Sequence, residues 1–194
     1  MNERIEKIEE IRDIKIKKEM IDGQIYLMAT PCGEHRDVQA NIANLFNEYF
    51  KKNKKRCRAR IDHELYINEK NTLEPDVKIL CRENRSDDIP VIVIEVLSTS
   101  TYDRDFGVKM AKYAELGIKE YWIVDWKNCV VNVFLLNENK IYDKHKSYVY
   151  YSSENAREYM KLEEEEKKNV LKEFFPLSFP DLTVKLEDVF DIFE

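Results

Sequence analysis

The spacing of apolar positions changes several times along the chain, and each change predicts an element. Ile14 and Ile16 alternate with polar residues toward Asp22-Gly23, and Ile25 and Leu27 alternate beyond it. Asp-Gly between two alternating runs predicts a hairpin over 14–29. Pro31 and Gly33 interrupt the chain. Val38, Ile42, Leu45, Phe46 and Tyr49 then recur at helical spacing, predicting a helix from about Glu34 with one buried face. Ile61, Leu65 and Ile67 predict a strand over about 57–67, followed by a polar loop at 68–73. Pro75 starts the next strand, 76–81, and a loop spans 82–89. Residues 91–97, VIVIEVL, form a β-branched run of the kind found in central strands covered on both faces. Hydroxyls at 98–101 precede a helix over about 103–116, which Gly117 closes. Strands follow at 121–125, 130–136 and 141–151. A charged helix at 153–174 leads to an apolar stretch (Leu182, Val184, Leu186, Val189, Phe190) that docks back on the body. Isoleucines 5, 8 and 11 suggest a short N-terminal helix.

Between its ends the chain therefore reads helix, three strands, helix, strand. Short connections suit antiparallel neighbours, and the second helix can cross over to a parallel strand. The expected class is α/β, a mixed sheet flanked by helices. Without repeats or linkers, 1–194 reads as one domain: an extension (1–19), a core (20–151), and an acidic helix with a docking tail (152–194).

Composition narrows the chemistry. Four glycines leave no phosphate-cradling glycine loop, and no apolar run is long enough to span a bilayer. Without a signal-type N-terminus, the expected location is cytoplasmic. The cysteines (32, 57, 81, 129) form no CxxC pair and are expected to be reduced, and three scattered histidines do not suggest zinc. The net charge of −6 comes from the tail: 152–194 carries 12 acids and 6 bases, whereas 1–151 carries 26 of each. Within that neutral body, Lys51, Lys52, Lys54, Lys55, Arg56, Arg58 and Arg60 place seven cations in ten residues. Either they bind nucleic-acid phosphates or they form a solvated helix end.

Glu95 is the most informative residue, because it interrupts a run that otherwise buries everything. A buried carboxylate needs a cation, a proton or several donors. Asp76 poses the same problem at the start of its strand. If the two strands are antiparallel neighbours, the acids converge, and a pair of carboxylate ligands suits Mg²⁺ or Mn²⁺. Pairing with Arg or Lys, or capping a helix, is the alternative. On the following helix Phe106, Met110, Tyr113 and Ala114 form the expected core stripe. Lys109 lies on its shoulder and Lys112 further toward solvent. Asp105, four residues before Lys109, either orients it or simply pairs with it.

Pro75-Asp76 with Glu95 nineteen residues on resembles the PD-(D/E)XK nuclease superfamily, whose restriction-endonuclease-like core has the same element order. More specifically, the chain resembles the Uma-type restriction endonuclease family. The resemblance rests on Ile21-Asp22-Gly23-Gln24-Ile25, Pro31 through His35, Glu74-Pro75-Asp76-Val77, and Glu95 through Thr101. It continues in Asp105 with Lys109 and Tyr113, in Gly117 through Asp125, and in the terminal Leu182 to Phe190. It implies that Asp76, Glu95 and the Val96 carbonyl ligate Mg²⁺ or Mn²⁺. Leu97 stands where the superfamily usually has lysine, and the family's helical lysine matches Lys109. His35 and Glu34 are possible accessory groups, whereas Tyr113, Tyr121 and Trp122 read as packing residues. The implied function is a Mg²⁺-dependent endonuclease acting on DNA, with a homodimer as an expected assembly. A catalytically inactive module of the same fold, binding nucleic acid or protein, is the alternative. An RNA nuclease or branched-DNA repair nuclease would share the site.

Overall fold

The computed structural model describes residues 17–82, 89–98, 101–152, 156–168 and 170–192. In chain order its elements begin with β1 (Lys18–Ile21), β2 (Gln24–Leu27) and the long helix α1 (Gly33–Lys52). Next come β3 (Cys57–Ile61), β4 (Leu65–Asn68), β5 (Asn71–Leu73), β6 (Val77–Cys81) and β7 (Ile92–Val96). Helices α2 (Tyr102–Phe106) and α3 (Val108–Glu115) lead to β8 (Glu120–Asp125), β9 (Val130–Leu136) and β10 (Tyr142–Val149). Short helices α4 (Ala156–Lys161) and α5 (Glu164–Lys168) precede β11 (Glu173–Phe174), β12 (Val184–Lys185) and α6 (Leu186–Val189). Predicted features at 1–16, including the N-terminal helix and the positions of Ile14 and Ile16, lie outside the described residues, as does most of the 82–89 loop.

The apolar run around Glu95 becomes β7, buried at every position. It lies inside a six-stranded sheet of order β10-β9-β8-β7-β6-β3. Its pairing with β6 is antiparallel and with β8 parallel, the α2–α3 segment making the crossover. The result is the mixed, helix-flanked sheet expected of a restriction-endonuclease-like fold. Alternation divides β7 between two cores. Ile92, Ile94 and Val96 face α1 and the C-terminal segment, whereas Val93 and Leu97 face α3 and a four-stranded sheet of order β2-β1-β5-β4. Glu95 has the parity of the second set.

The hairpin forms as expected, with Asp22 and Gly23 both at positive φ (50° and 83°). Gly117 closes α3 at φ 77°, its N–H on the Ala114 carbonyl. Elsewhere the elements are shorter than the pattern predicts. The expected strand 57–67 is divided at Asp62, whose φ of 45° turns the chain from the large sheet into the small one. Part of the predicted loop 68–73 is strand β5. The helix at 103–116 is broken at Gly107 (φ −117°, ψ −103°). There a Cβ would stand 2.8 Å from the Asp103 carbonyl oxygen. Of the helix expected at 153–174, the described residues form α4 and α5, which bury no residue because the glutamates leave no apolar stripe. Phe174 instead enters β11 and packs on Trp122 and Tyr148.

The C-terminal segment docks as expected: Phe179, Leu182, Val184, Leu186, Val189 and Phe190 share a core with Val38, Ile42, Phe46 and Phe50 of α1. Glu120, fully buried at the start of β8, fastens the approach to it. Its carboxylate accepts from Trp122 Nε1 at 2.9 Å, the Ser178 N–H at 3.0 Å and the Leu177 N–H at 3.4 Å. One expectation about cysteine is overturned. Cys57 and Cys81 form a disulfide, because β3 and β6 pair these two positions directly across the ladder. Cys32 and Cys129 take part in no disulfide among the described residues. No helix among the described residues is long and apolar enough to cross a membrane.

Candidate active site

Because β6 and β7 run antiparallel with Val77 opposite Ile94, Asp76 and Glu95 come together at the end of the ladder, each next to that pair. Asp76 is held from four sides. Its Oδ1 accepts from Gln39 Nε2 at 2.8 Å and Lys17 Nζ at 2.9 Å. Its Oδ2 accepts the Val96 N–H at 2.8 Å and lies 3.4 Å from His35 Nε2. His35 and Gln39 are one turn apart near the start of α1, so both face the sheet end together. His35 Nε2 also stands 2.8 Å from the Val96 carbonyl oxygen. That oxygen only accepts, so Nε2 carries the proton.

Glu95 points to the other side. Its Oε1 receives Lys109 Nζ at 2.7 Å and the Tyr113 hydroxyl at 2.5 Å. Lys109 is also 3.0 Å from Glu19 Oε1 and 3.1 Å from Asp105 Oδ1. It is therefore enclosed by carboxylates from β1, β7 and α2, rather than on the helix shoulder as the wheel predicts. Phe106 and Met110 still pack with Tyr113 and Ala114 across the break at Gly107, and the ring of acids draws the lysine inward. Glu19 Oε1 accepts the Glu74 N–H at 3.2 Å, while Glu19 Oε2 and His35 Nδ1 are buried without hydrogen-bond partners among the described residues.

These contacts set the protonation states. Burial pushes Asp76 up, but the His35 hydrogen bond and the charges of Lys17, His35 and Lys109 outweigh it and hold the carboxyl well below its usual range. Glu95 goes the other way. Burial, with Asp105, Asp76 and Glu19 adding to it, raises it to about 8 against the pull of Lys109. Burial disfavours the Lys109 charge, yet Glu95, Asp105, Glu19 and Asp76 keep it protonated well past the ordinary lysine range. Burial also lowers His35, but Asp76 and the Val96 carbonyl raise it overall.

Asp76, Glu95, Val96, His35, Lys17 and Lys109 all line one cavity of about 170 Å³. It opens at the carboxyl ends of β7 and β8, with Trp126 and Lys127 at its rim. Open α/β sheets receive ligands at that end of parallel strands. Of the expected accessory groups, His35 and Asp105 join the network. Glu34 does not: it stays at the α1 start, where its own N–H and the Cys32 thiol hold its carboxyl below the usual range.

The basic residues lie outside the cavity, and all seven are exposed. Lys51 and Lys52 end α1, and Lys54 and Lys55 follow in the turn, with Lys55 Nζ 5.6 Å over the Tyr49 ring. Lys55, Arg56, Arg58 and Arg60 line a shallow groove with Arg82. Arg58 and Arg60 project from edge strand β3 on the face opposite buried Ala59. β3 ends beside Val77, so this strip begins near Asp76 and runs about 13 Å away from it at the usual strand rise.

Sequence reasoning missed Lys17, Glu19 and Gln39, and took Tyr113 for packing alone. Glu19 carried a usable signal: like Glu95, it is an acid at the parity of a buried neighbour, Ile21. Gln39 lies between Val38 and Ile42 on the buried helix face. Lys17 and the Tyr113 hydroxyl carry no local signal, since their partners are distant in sequence.

Known proteins resemble this chain over most of its length. An uncharacterized protein of Synechocystis sp. is 29% identical over 131 residues, covering 63% of this chain and 68% of that one. The crystal structure of a putative nuclease belonging to DUF820 from Anabaena variabilis superposes with a TM-score of 0.66. That match covers 89% of both chains at 15% identity, which speaks for the fold. Residues 3–169 match the family model Uma2, described as putative restriction endonuclease. The chain belongs to the Uma2 family.

Proposed function

We propose that this protein is a Mg²⁺- or Mn²⁺-dependent endonuclease that hydrolyses phosphodiester bonds in DNA. The observation that carries the reading is the excess of buried acid around one cavity. Glu19, Asp76, Glu95 and Asp105 share two lysines and one histidine. Among the described residues, no three acid, histidine or cysteine side chains converge as a metal cluster. That suits Mg²⁺, which takes one or two carboxylates and completes its octahedron with water and phosphate oxygen. Asp76, Glu95 and the Val96 carbonyl are the groups that would hold it. The proton on His35 Nε2, bridging the Val96 carbonyl and Asp76, marks a place between these acceptors where positive charge is already favoured. A bound divalent cation would lower the pKa of an attacking water and polarise the phosphate.

The remaining residues position and exclude. Lys109 holds Glu95, Glu19 and Asp105 in one arrangement, and the Tyr113 hydroxyl fixes which Glu95 oxygen faces inward. Arg58, Arg60 and their neighbours along β3 would bind backbone phosphates flanking the cut.

The test is nicking or cutting of supercoiled plasmid by purified protein with Mg²⁺ or Mn²⁺. Asp76→Ala and Glu95→Ala should lower the rate by about 10²-fold or more while the protein stays folded. Equal cutting by wild type and both variants would sink the proposal. A second reading, a non-catalytic binding module, is favoured by one feature: Asp76 is satisfied by Lys17, Gln39, His35 and Val96 without any metal. Calorimetry separates the two, because the module would give no Mn²⁺ signal.

A further inference from the structure

The two lysines of the cavity wall are placed differently. Lys109 has only 1% of its side chain exposed, and Glu95, Glu19 and Asp105 surround its ammonium within 3.1 Å. Although Lys109 borders the cavity, its ammonium is already committed to three carboxylates. The Lys17 side chain is 15% exposed at the cavity wall, and among the described residues its two partners are Asp62 Oδ1 at 2.7 Å and Asp76 Oδ1 at 2.9 Å. An ammonium has three donors, so a third hydrogen bond is within its capacity. The two partners are also unequal. Asp62 lies toward solvent and can keep Lys17 at the mouth. Asp76 Oδ1 already accepts from Gln39 and does not depend on Lys17 for satisfaction.

We infer that Lys17 is the cation that contacts the scissile phosphate, while Lys109 acts as a positioning residue for the carboxylates. The inference rests on the nuclease reading proposed above. In hydrolysis the water oxygen forms a new bond to phosphorus. The bond from phosphorus to the leaving sugar oxygen breaks and its electron pair departs with that oxygen. Water's proton passes to solvent, and the leaving oxygen is reprotonated from solvent. Negative charge on the non-bridging oxygens needs a donor aimed at it, and Lys17 supplies one as a compact charge on a flexible stem. It stays protonated throughout.

Four readouts on a duplex oligonucleotide test this. Lys17→Ala should lower kcat by about 10²-fold with KM little changed. Added ethylammonium should restore part of the loss, and Lys17→Arg should retain more activity than Lys17→Ala. Mn²⁺ should bind Lys17→Ala at least as tightly as wild type, because a competing cation beside Asp76 has gone. A purely structural Lys17 would predict weakened Mn²⁺ binding and no rescue by the amine, and that pair of results overturns the inference. Cutting by wild type that survives Lys17→Ala unchanged overturns it alone. Absence of any metal-dependent cutting by wild type removes the nuclease reading and this inference with it.

Discussion

In the folded protein Glu95 holds a proton that the unfolded chain would release. Burial raises its pKa from an ordinary 4.5 to about 8, with Lys109 opposing the rise and Asp105, Asp76 and Glu19 adding to it. Between those values the folded state binds more protons than the unfolded one, so stability falls as pH rises. His35 acts in the same sense, since its folded pKa is raised above 6.5 and its contribution is lost as pH climbs through that raised value. Asp76, depressed below its usual value, contributes stability that is lost only in acid, outside this window. The metal-free protein should therefore melt at a lower temperature at pH 8 than at pH 6. Mg²⁺ or Mn²⁺, which displaces the proton, should raise the melting temperature more at pH 8. Glu95→Gln should flatten both trends. Identical melting at the two pH values, with equal metal increments, would show that Glu95 does not hold this proton. At this scale the site was half legible. Asp76 and Glu95 were conspicuous as acids in apolar surroundings. Lys17, Glu19 and Gln39 converge on them only through tertiary folding.

Among the elements, the start of β8 carries a structural carboxylate whose role is separable from the site. Removing Glu120 would leave the Trp122, Leu177 and Ser178 N–H groups without their acceptor. Glu120→Ala should destabilise the protein by about 2–4 kcal/mol, read from urea denaturation. Because Glu120 lies at the opposite end of β8 from the cavity, cutting should persist at temperatures below the lowered transition. Loss of activity in a fully folded variant would contradict that separation. Element identity followed sequence where local rules dominate: the Asp22-Gly23 turn, the Gly117 cap and the β7 run are all where periodicity and turn chemistry put them. The breaks at Asp62 and Gly107 were hidden, because the apolar spacing continues through both. Cys57 and Cys81 were likewise unreadable as partners, since 24 residues separate them and only the β3–β6 register brings them together.

For the whole molecule, the net charge of −6 conceals an uneven distribution. The acidic excess sits in 152–194, while the cations of 51–60 run from the end of α1 through the turn onto edge strand β3. Replacing Arg58 and Arg60 with Ala should weaken metal-free DNA binding. It should also shallow the dependence of log Kd on log salt by about 0.9 for each phosphate no longer neutralised. If the salt dependence is unchanged, the strip is only a solvated edge. The β6–β7 ladder carries a further implication, for insertions and deletions. Asp76 and Glu95 each adjoin the Val77–Ile94 pair, and each residue added to or removed from a strand turns all that follows to the other side of the sheet. A single-codon deletion among residues 92–94 would swing Glu95 toward Phe46 and Trp122, exchanging an acid for an aliphatic side chain at the cavity. Length changes in this hairpin's strands are thus expected to be tolerated, if at all, only in pairs, whereas substitutions at the same positions need only preserve bulk.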